Sequence, residues 1–342
     1  MATRPDGVLA SAGMTGGTPS LGHAGRVVRV ERGRAEVRLA DRVVAVPVAD
    51  RALLVGDRVD VCVGPGPATV LAVRPRTTVV ARAATDRTSG EQALAVNVDV
   101  VVVVEPMDPT PSLGRIERLL VLAWSSGARP LVVLTKADLA SGGHDLHASV
   151  QAAAPGVDVL AVSAPTGAGL DGLRERLGPG RTFVLLGPSG AGKSTLVNAL
   201  AGTDLLAVGD VRGDGRGRHT TTHRELVELP DGSSLIDTPG LRAVGLLGDA
   251  AAVDDVFAEI AGLARDCRFR DCAHDTEPGC AVQAAVAEGG LPERRLASWR
   301  RLQREIAYQN RRGDARLQAE ERAKWKAIVR RQRAHAAGHP SR

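Results

Sequence analysis

The chain has 342 residues, of which 44% are hydrophobic and 24% are charged, so it can bury a sizeable core and a disordered chain is excluded. Its longest uninterrupted apolar run is the six residues Leu119–Trp124, followed by the five valines Val100–Val104. That run is far below the roughly 20 residues that cross a membrane, which excludes an integral membrane protein. Only 2% of the residues are aromatic, so contact with nucleic acid would depend mainly on Arg and Lys at phosphates.

The N-terminal segment, residues 1–23, is rich in Gly, Thr, Ser and Pro and lacks the charged start and apolar stretch of a secretion signal. We therefore expect a flexible leader and a cytoplasmic protein. The charge is uneven along the chain: Arg294–Arg342 contains 15 Lys and Arg against 4 Asp and Glu, a net charge of +11, whereas residues 1–293 have a net charge of −6. The basic surplus therefore belongs to the C-terminal part.

Residues 24–80 alternate short Val-rich segments with Gly, Pro and Asp turns, a pattern that predicts strands. The expected strands are Arg26–Val30, Ala35–Leu39, Val43–Val48, Val59–Val63 and Thr69–Val73. Five short strands predict a small OB-type β-barrel, although an SH3-like barrel would show much the same pattern. The segment has ten arginines and no aromatic residue, so contact with RNA phosphates and a purely structural barrel with a solvated basic face are both open.

Residues 81–248 show apolar strands separated by helical segments, which predicts an α/β domain with a doubly wound, mainly parallel sheet. The expected strands are Val98–Val104, Leu131–Leu134, Val157–Val162, Phe183–Leu186 and Leu235–Ile236. The expected helices, which extend into the next segment, are Leu113–Ser125, Gly192–Leu200 and Val253–Ala264. Ligands of such sheets bind at the carboxyl ends of the strands, where the motifs described next fall.

A glycine-rich loop between a predicted strand and a predicted helix has the P-loop pattern. Its residues are Gly187, Pro188, Ser189, Gly190, Ala191, Gly192, Lys193, Ser194 and Thr195. The glycines allow backbone N–H groups to point at phosphate oxygens, and the helix N-terminus favours negative charge. We expect Lys193 to reach the β- and γ-phosphates and Ser194 to ligate Mg²⁺.

Two further strand ends favour guanine over adenine. The first carries Thr135, Lys136, Ala137 and Asp138, which resemble the Asn/Thr-Lys-x-Asp motif of GTPases. A carboxylate at Asp138 can accept hydrogen bonds from both N1–H and the 2-amino group of guanine, and Lys136 can lie across the base. The second carries Ser163 and Ala164, which resemble the loop whose backbone N–H meets the guanine O6.

The residues expected to sense Mg²⁺ and the γ-phosphate follow the P-loop. An Asp-x-x-Gly motif after the last predicted strand consists of Asp237, Thr238, Pro239 and Gly240. Upstream, Gly215–Thr222 supplies the other expected switch, in which we expect Thr221 to complete the Mg²⁺ ligands together with Ser194 and Asp237.

One position departs from the usual GTPase pattern. Many GTPases place a water-orienting Gln directly after Asp-x-x-Gly, but Leu241 stands here and can neither donate nor accept a hydrogen bond. Intrinsic hydrolysis should therefore be slow and need a stimulating partner. His219, beside the switch threonines, can orient or deprotonate water, although an exposed loop histidine without a catalytic part is equally open.

A third module is predicted over residues 249–335, followed by a flexible tail over residues 336–342. Three thiols and one imidazole are clustered in sequence: Cys267, Cys272, His274 and Cys280. Four such ligands make a closed tetrahedral site for one structural Zn²⁺ ion, which would replace the hydrophobic core that a small module lacks. The arginine-rich segment Leu291–His335 has helical composition, and Cys62, alone in a strand, is expected to be a small core residue.

The order of the motifs is unusual, because the guanine motifs precede the phosphate motifs. Together with the barrel, the segment Glu91–Asp99 and the Cys-x4-Cys-x-His-x5-Cys pattern, this order resembles the RsgA/YjeQ family of circularly permuted GTPases over roughly residues 24–310. The resemblance implies a monomer made of an OB barrel, a GTPase domain and a zinc domain. It also implies binding to the 30S ribosomal subunit and its 16S rRNA in late maturation, stimulated hydrolysis of GTP to GDP, and release.

Two other interpretations of the sequence remain open. A nucleotide-gated module that binds protein partners would carry the same motifs. In that case the basic C-terminal segment would be a solvent-exposed face. A P-loop ATPase or kinase would result if Asp138 does not read guanine. A steep salt dependence of association with ribosomal RNA would favour the RNA-associated GTPase, because phosphate contacts release counterions.

Overall fold

The computed structural model describes residues 22–48, 52–83, 91–206, 224–237 and 250–313. Its N-terminal strands are β1 His23–Glu31, β2 Arg34–Arg38, β3 Val43–Pro47, β4 Arg58–Cys62 and β5 Thr69–Val73. Strand β1 pairs antiparallel with both β2 and β4, β2 pairs with β3, β4 pairs with β5, and β3 packs against β5. The spatial order β4-β1-β2-β3 is that of a Greek key, which confirms the OB-type barrel.

A hairpin that the sequence pattern did not predict joins the barrel to the next domain. It consists of β6 Val79–Ala83 and β7 Glu91–Val96, paired antiparallel. The buried Asn97 follows it with a positive φ of 54°. Its side-chain oxygen accepts the Thr77 N–H at 3.0 Å, and its side-chain nitrogen donates to the Gly56 carbonyl at 2.9 Å. These bonds fix the barrel to the linker.

The central sheet contains five parallel strands and one antiparallel strand. Its strands are β8 Val100–Pro106, β9 Arg129–Thr135, β10 Val159–Ala161, β11 Thr182–Leu186, β12 Glu225–Glu228 and β13 Ser234–Asp237. They lie in the order β10-β9-β8-β11-β13-β12, and only β12 is antiparallel to its neighbour in this set. This arrangement confirms the doubly wound, mainly parallel sheet. Strand β12 also pairs with β1, so the sheet continues into the barrel.

The helices pack on both faces of this sheet and in the C-terminal region. They are α1 Leu113–Ser125, α2 Gly143–Ala153, α3 Leu170–Leu177, α4 Lys193–Ala201, α5 Ala250–Val256, α6 Ala258–Ala264, α7 Ala281–Ala287 and α8 Glu293–Gly313. The single helix predicted over Val253–Ala264 is wrong, because Phe257 leaves helical geometry at φ −118° and ψ 45°. Its ring is fully buried beneath the Arg295 guanidinium, 4.3 Å from the ring centroid, so tertiary packing overrides the helical pattern. In the part of the chain that the structure describes, every helix is too short or too polar to cross a bilayer.

The valines of β8 show why this strand lies at the centre of the domain. Val101 and Val103 point into the core that includes α1 and the C-terminal helices, whereas Val100, Val102 and Val104 point into the core that includes α3 and α4. All five are fully buried. A strand that is covered on both faces has a continuous apolar sequence instead of alternating apolar and polar residues.

A buried ion cluster attaches the C-terminal helix α8 to α1 of the central α/β domain. Glu117 of α1 is fully buried and accepts hydrogen bonds from Arg294 at 2.7 Å, from Arg295 at 2.9 Å and from the Ser298 hydroxyl. The guanidinium of Arg295 is 97% buried and also bonds Glu259 at 2.7 Å through Nε, together with two backbone carbonyls. Each buried charge therefore has several partners.

Replacing Arg295 by Met should lower the free energy of unfolding by about 3 kcal/mol. The substitution removes a buried cation and leaves its carboxylate partners without that charge. Urea unfolding followed by circular dichroism measures this change. The matched control is Arg34→Met, which breaks a largely exposed ion pair with Glu31 and Glu36 and should leave stability nearly unchanged. Equal stabilities of the Arg295→Met protein and the wild type would contradict the prediction.

Candidate nucleotide site and candidate metal centre

The sheet reverses its winding direction between β8 and β11, and the predicted nucleotide residues lie at that point. The chain runs from β8 outward to β9 and β10, then returns to the other side of β8 to form β11 and β13. Ligands of doubly wound sheets bind outside the carboxyl ends of the strands at such a switch point. The P-loop follows β11, the Thr135 motif ends β9, and Ser163 comes two residues after β10.

The P-loop curls tightly over the end of β8. Gly190 and Gly192 have positive φ values of 78° and 80°, which glycine adopts without strain. A Cβ at Gly187 would lie 2.1 Å from the Val104 carbonyl oxygen, so only glycine fits there. The Lys193 ammonium donates to the carbonyls of Gly187 at 2.9 Å and Pro188 at 2.7 Å. The lysine thus lies over the loop that would surround a phosphate, at the start of α4.

The two guanine loops meet beside the P-loop. Lys136 has a left-handed φ of 58° and is followed by a 3₁₀ turn, Ala137–Leu139, that leaves Asp138 exposed. The Ala137 N–H donates to the Val162 carbonyl at 3.2 Å, which joins this turn to the strand end before Ser163. Ser163 is buried, its hydroxyl oxygen accepts the Thr166 N–H at 3.3 Å, and Ala164 is half-buried.

Thr135 connects the guanine loop directly to the P-loop. Its hydroxyl donates to the Ala191 carbonyl at 2.6 Å, although the two residues are 56 positions apart in sequence. Both residues are buried, so this bond is shielded from water. The loops predicted to bind the base and the phosphates are thereby held in a fixed relation.

Replacing Thr135 by Val should weaken GDP binding about tenfold, because the buried Ala191 carbonyl loses its donor, at a cost of about 1 to 3 kcal/mol. Titration of a fluorescent GDP analogue measures the affinity. Thr182→Val is the matched control, since Thr182 is buried at the opposite end of β11 and accepts a hydrogen bond from Arg26 at 2.6 Å. Equal affinity losses in the two variants would argue against a specific role of Thr135.

Some of the predicted residues lie outside the described residues. These are His219, Thr221, Thr238, Pro239 and Gly240. Asp237 is described and ends β13, directly beside the P-loop strand β11, while the half-buried Ser194 lies in the first turn of α4. The fold therefore brings Asp237 and Ser194 to the same edge of the sheet.

The predicted metal ligands converge in the segment between α6 and α7. The ligand atoms of Cys267, Cys272, His274 and Cys280 all lie within 4.8 Å of one another. His274 Nδ1 is 3.5 Å from the sulfurs of both Cys267 and Cys280, and these two sulfurs are 3.9 Å apart. Tetrahedral Zn²⁺ with ordinary bond lengths would place two sulfurs about 3.8 Å apart and sulfur and nitrogen about 3.6 Å apart. The cluster can therefore hold a metal such as zinc.

Surrounding groups orient the His274 imidazole and keep it neutral. Burial lowers the pKa of His274, and the nearby Arg300 lowers it further, while Glu277 opposes both effects. A neutral imidazole is the form that binds a metal. The His274 carbonyl accepts hydrogen bonds from Gln283 at 2.7 Å and from Arg300, and its ring lies 5.4 Å from that of Trp299. These contacts fix the residue, whose φ is 57°.

The turn that carries His274 is held by a carboxylate. Glu277 accepts backbone N–H bonds from Ala273 at 2.9 Å, Asp275 at 2.8 Å and Thr276 at 3.1 Å. Donation by the backbone amides, that of Asp275 foremost, lowers the pKa of Glu277 to about 2. The carboxylate therefore stays ionised near neutral pH and keeps the turn closed.

The chain matches known proteins over most of its length. A family model described as RsgA GTPase matches residues 73–247. A protein of Streptomyces coelicolor named small ribosomal subunit biogenesis GTPase RsgA is 52% identical over 315 residues, which cover 88% of this chain and 85% of that protein. A relative of the same name from Methanosarcina acetivorans is 40% identical and covers 76% of this chain and 71% of the relative.

Solved structures show the same architecture. YjeQ from Thermotoga maritima has a TM-score of 0.61 and 25% identity, covering 84% of this chain and 99% of that one. YloQ, described as a circularly permuted GTPase, has a TM-score of 0.58 and 25% identity, covering 84% of this chain and 95% of that one. The family match, the identity to the relatives and the permuted order of the motifs agree, and the chain belongs to the RsgA family of circularly permuted GTPases.

Proposed function

We propose that this GTPase binds the 30S ribosomal subunit during its late maturation and that contact with the subunit stimulates GTP hydrolysis and thereby its own release. The observation that carries the proposal is the Thr135–Ala191 hydrogen bond, which unites a guanine loop and a P-loop at one switch point. The name of the relatives, small ribosomal subunit biogenesis GTPase, supplies the partner.

The nucleotide would be held by the residues that the fold brings to this edge. Asp138 would read the guanine, Lys136 would lie across it, and the P-loop amides with Lys193 would bind the phosphates. Ser194 and Asp237 fit Mg²⁺, because an aliphatic hydroxyl and a carboxylate are oxygen ligands that this ion accepts. Bound Mg²⁺ would neutralise the charge that develops on the phosphate oxygens. We assign Thr221 as a third ligand and residues 237–240 as the second switch.

We assign water positioning to His219, since Leu241 stands where many GTPases have Gln. Slow intrinsic hydrolysis follows from that leucine, and the ribosomal subunit would complete the site. A His219→Ala protein with full stimulated turnover would contradict this assignment.

The C-terminal region, residues 249–335, would act as the second binding module. Three cysteines and one histidine close the coordination of one Zn²⁺ ion, so its role would be structural. We propose contact with 16S rRNA through basic residues of the OB barrel, residues 24–80, and of the C-terminal segment with its net charge of +11. A monomer acting in the cytoplasm, with the GTPase domain over residues 81–248, suits this role.

The test is GTP hydrolysis by the purified protein alone and with isolated 30S subunits, 50S subunits or bare tRNA at one fixed salt concentration. We expect the rate to rise at least about tenfold with 30S subunits only, as expected when a partner completes a catalytic site. Association with the 30S subunit should weaken steeply with salt, because phosphate contacts release counterions. An equal rate of GTP hydrolysis with every addition would contradict the proposal. The remaining interpretation would be a GTP-binding switch that acts on protein partners.

A further inference from the structure

One buried carboxylate at the nucleotide edge has no part in the assignments above. Glu105 is the penultimate residue of β8 and is fully buried. On one side it pairs with Leu134, directly before the guanine motif. On the other side, the carbonyl of the preceding residue, Val104, lies against the P-loop glycine Gly187. Glu105 therefore lies between the guanine loop and the P-loop.

The carboxylate of Glu105 is satisfied by the start of α1. Its oxygens accept the Ser112 N–H at 3.0 Å and the Arg115 Nε–H at 3.0 and 3.1 Å, and Arg115 Nη2 adds a further bond. This pairing raises the pKa of Arg115. A buried carboxylate without such partners would destabilise the fold, so the folded protein requires these bonds.

These bonds close a loop of six residues, Pro106–Pro111, which begins at the last residue of β8 and leads towards α1. Three of the six are prolines, which have no backbone N–H and cannot support the loop by internal amide hydrogen bonds. The shape of the loop therefore depends on its anchors. The anchor at the start is the Met107 N–H, which donates to the Thr135 carbonyl at 2.8 Å, and the anchor at the end is the Glu105 cluster.

The loop reaches the lysine that would lie across the guanine base. The carbonyl oxygen of Asp108 is 3.5 Å from the Lys136 ammonium. Lys136 itself has a fixed left-handed backbone. Its long side chain thus starts from a fixed backbone, and its ammonium group contacts the loop.

We propose that Glu105 is a positioning residue for guanine nucleotides, which acts by holding the loop Pro106–Pro111 so that the Asp108 carbonyl orients Lys136 over the base. The proposal rests on the guanine-binding role of Lys136 given under the proposed function. Removing the charge of Glu105 frees the end of the loop, and Lys136 then loses its orientation before the nucleotide arrives. The side chain must then be ordered when the nucleotide binds, and the free energy of this ordering weakens the affinity.

The test compares GDP affinity of the full-length wild type and Glu105→Gln, measured by titration of a fluorescent GDP analogue. We expect about tenfold weaker binding, which corresponds to about 1.4 kcal/mol. Glu117→Gln is the matched control, because Glu117 is equally buried and ionically paired but holds α8. It should lower the thermal unfolding temperature similarly and leave GDP affinity within about twofold of wild type.

A double-mutant cycle with Lys136→Ala separates positioning from general loosening of the fold. If Glu105 acts through Lys136, the double variant loses no more affinity than Lys136→Ala alone, whereas independent effects add. Arg115→Gln provides a second variant if Glu105→Gln folds poorly, since the Arg115 side chain is 44% exposed and a glutamine amide N–H can still donate to Glu105. Like Glu105→Gln, this variant should weaken GDP binding.

The outcomes distinguish this inference from the proposed function. Unchanged GDP affinity in both Glu105→Gln and Arg115→Gln, additive losses in the cycle, or an equal loss in Glu117→Gln would each overturn the positioning role. A wild type that binds ADP as tightly as GDP would instead refute the guanine site itself.

Discussion

Replacing Asp138 by Asn should change the nucleotide preference from guanine to xanthine. A carboxylate accepts hydrogen bonds from both N1–H and the 2-amino group of guanine, and an amide cannot accept both. The variant loses one hydrogen bond to a charged group, at about 1.5 to 3 kcal/mol, and the remaining bond loses its charge assistance, so GTP binding should weaken at least about 100-fold. Xanthine carries an oxygen where guanine has the amino group, so the Asn amide N–H gains an acceptor.

The measurement is hydrolysis of GTP, xanthosine triphosphate and ATP by wild type and variant at matched concentrations. Asp171→Asn is the control, because Asp171 is a fully exposed carboxylate on α3 that pairs with Arg174 outside the nucleotide edge. The control should keep the wild-type preference. A variant that loses GTP without gaining xanthosine triphosphate would mean that Asp138 supports the loop but does not read the base.

The sequence was informative about the nucleotide site because its contacts are local. A P-loop, a strand-end Asp and a Ser-Ala turn each need only a few neighbouring residues. The Thr135–Ala191 bond was not predictable in the same way, since it joins residues 56 positions apart through the order of the strands. The sheet order β9-β8-β11 creates that contact.

The buried charges escaped sequence analysis for a related reason. Glu105 follows a valine run and Glu117 lies within the apolar helix α1, and their partners come from the start of α1 and from α8, respectively. One signal was available, because a charged residue inside an otherwise apolar pattern needs a partner when the segment is buried. Phe257 shows the converse case. It continues the helical pattern of Val253–Ala264, but its packing against Arg295 holds it in a non-helical conformation between α5 and α6.

Replacing Cys280 by Ser should release the metal and unfold the segment between α6 and α7. In residues 265–280 only His274 and Cys280 are buried, so little hydrophobic burial remains to hold this segment together. Structural Zn²⁺ contributes about 10 kcal/mol or more in small modules, which equals or exceeds the net stability of many domains. The Cys280 sulfur also accepts the Gln283 N–H at the start of α7. Serine is a good N-cap, so the substitution removes the metal ligand while a cap is retained.

Zinc content of the purified protein and hydrogen exchange of the amides in residues 265–287 measure the effect. We expect about one zinc ion per wild-type chain, much less in Cys280→Ser, and loss of amide protection confined to this segment, because Glu117 still holds α8. Cys62→Ser is the matched control, since Cys62 is a half-buried cysteine in β4 of the barrel and outside the cluster. Full protection in Cys280→Ser without bound zinc would show that the fold, and not the metal, holds the four side chains together.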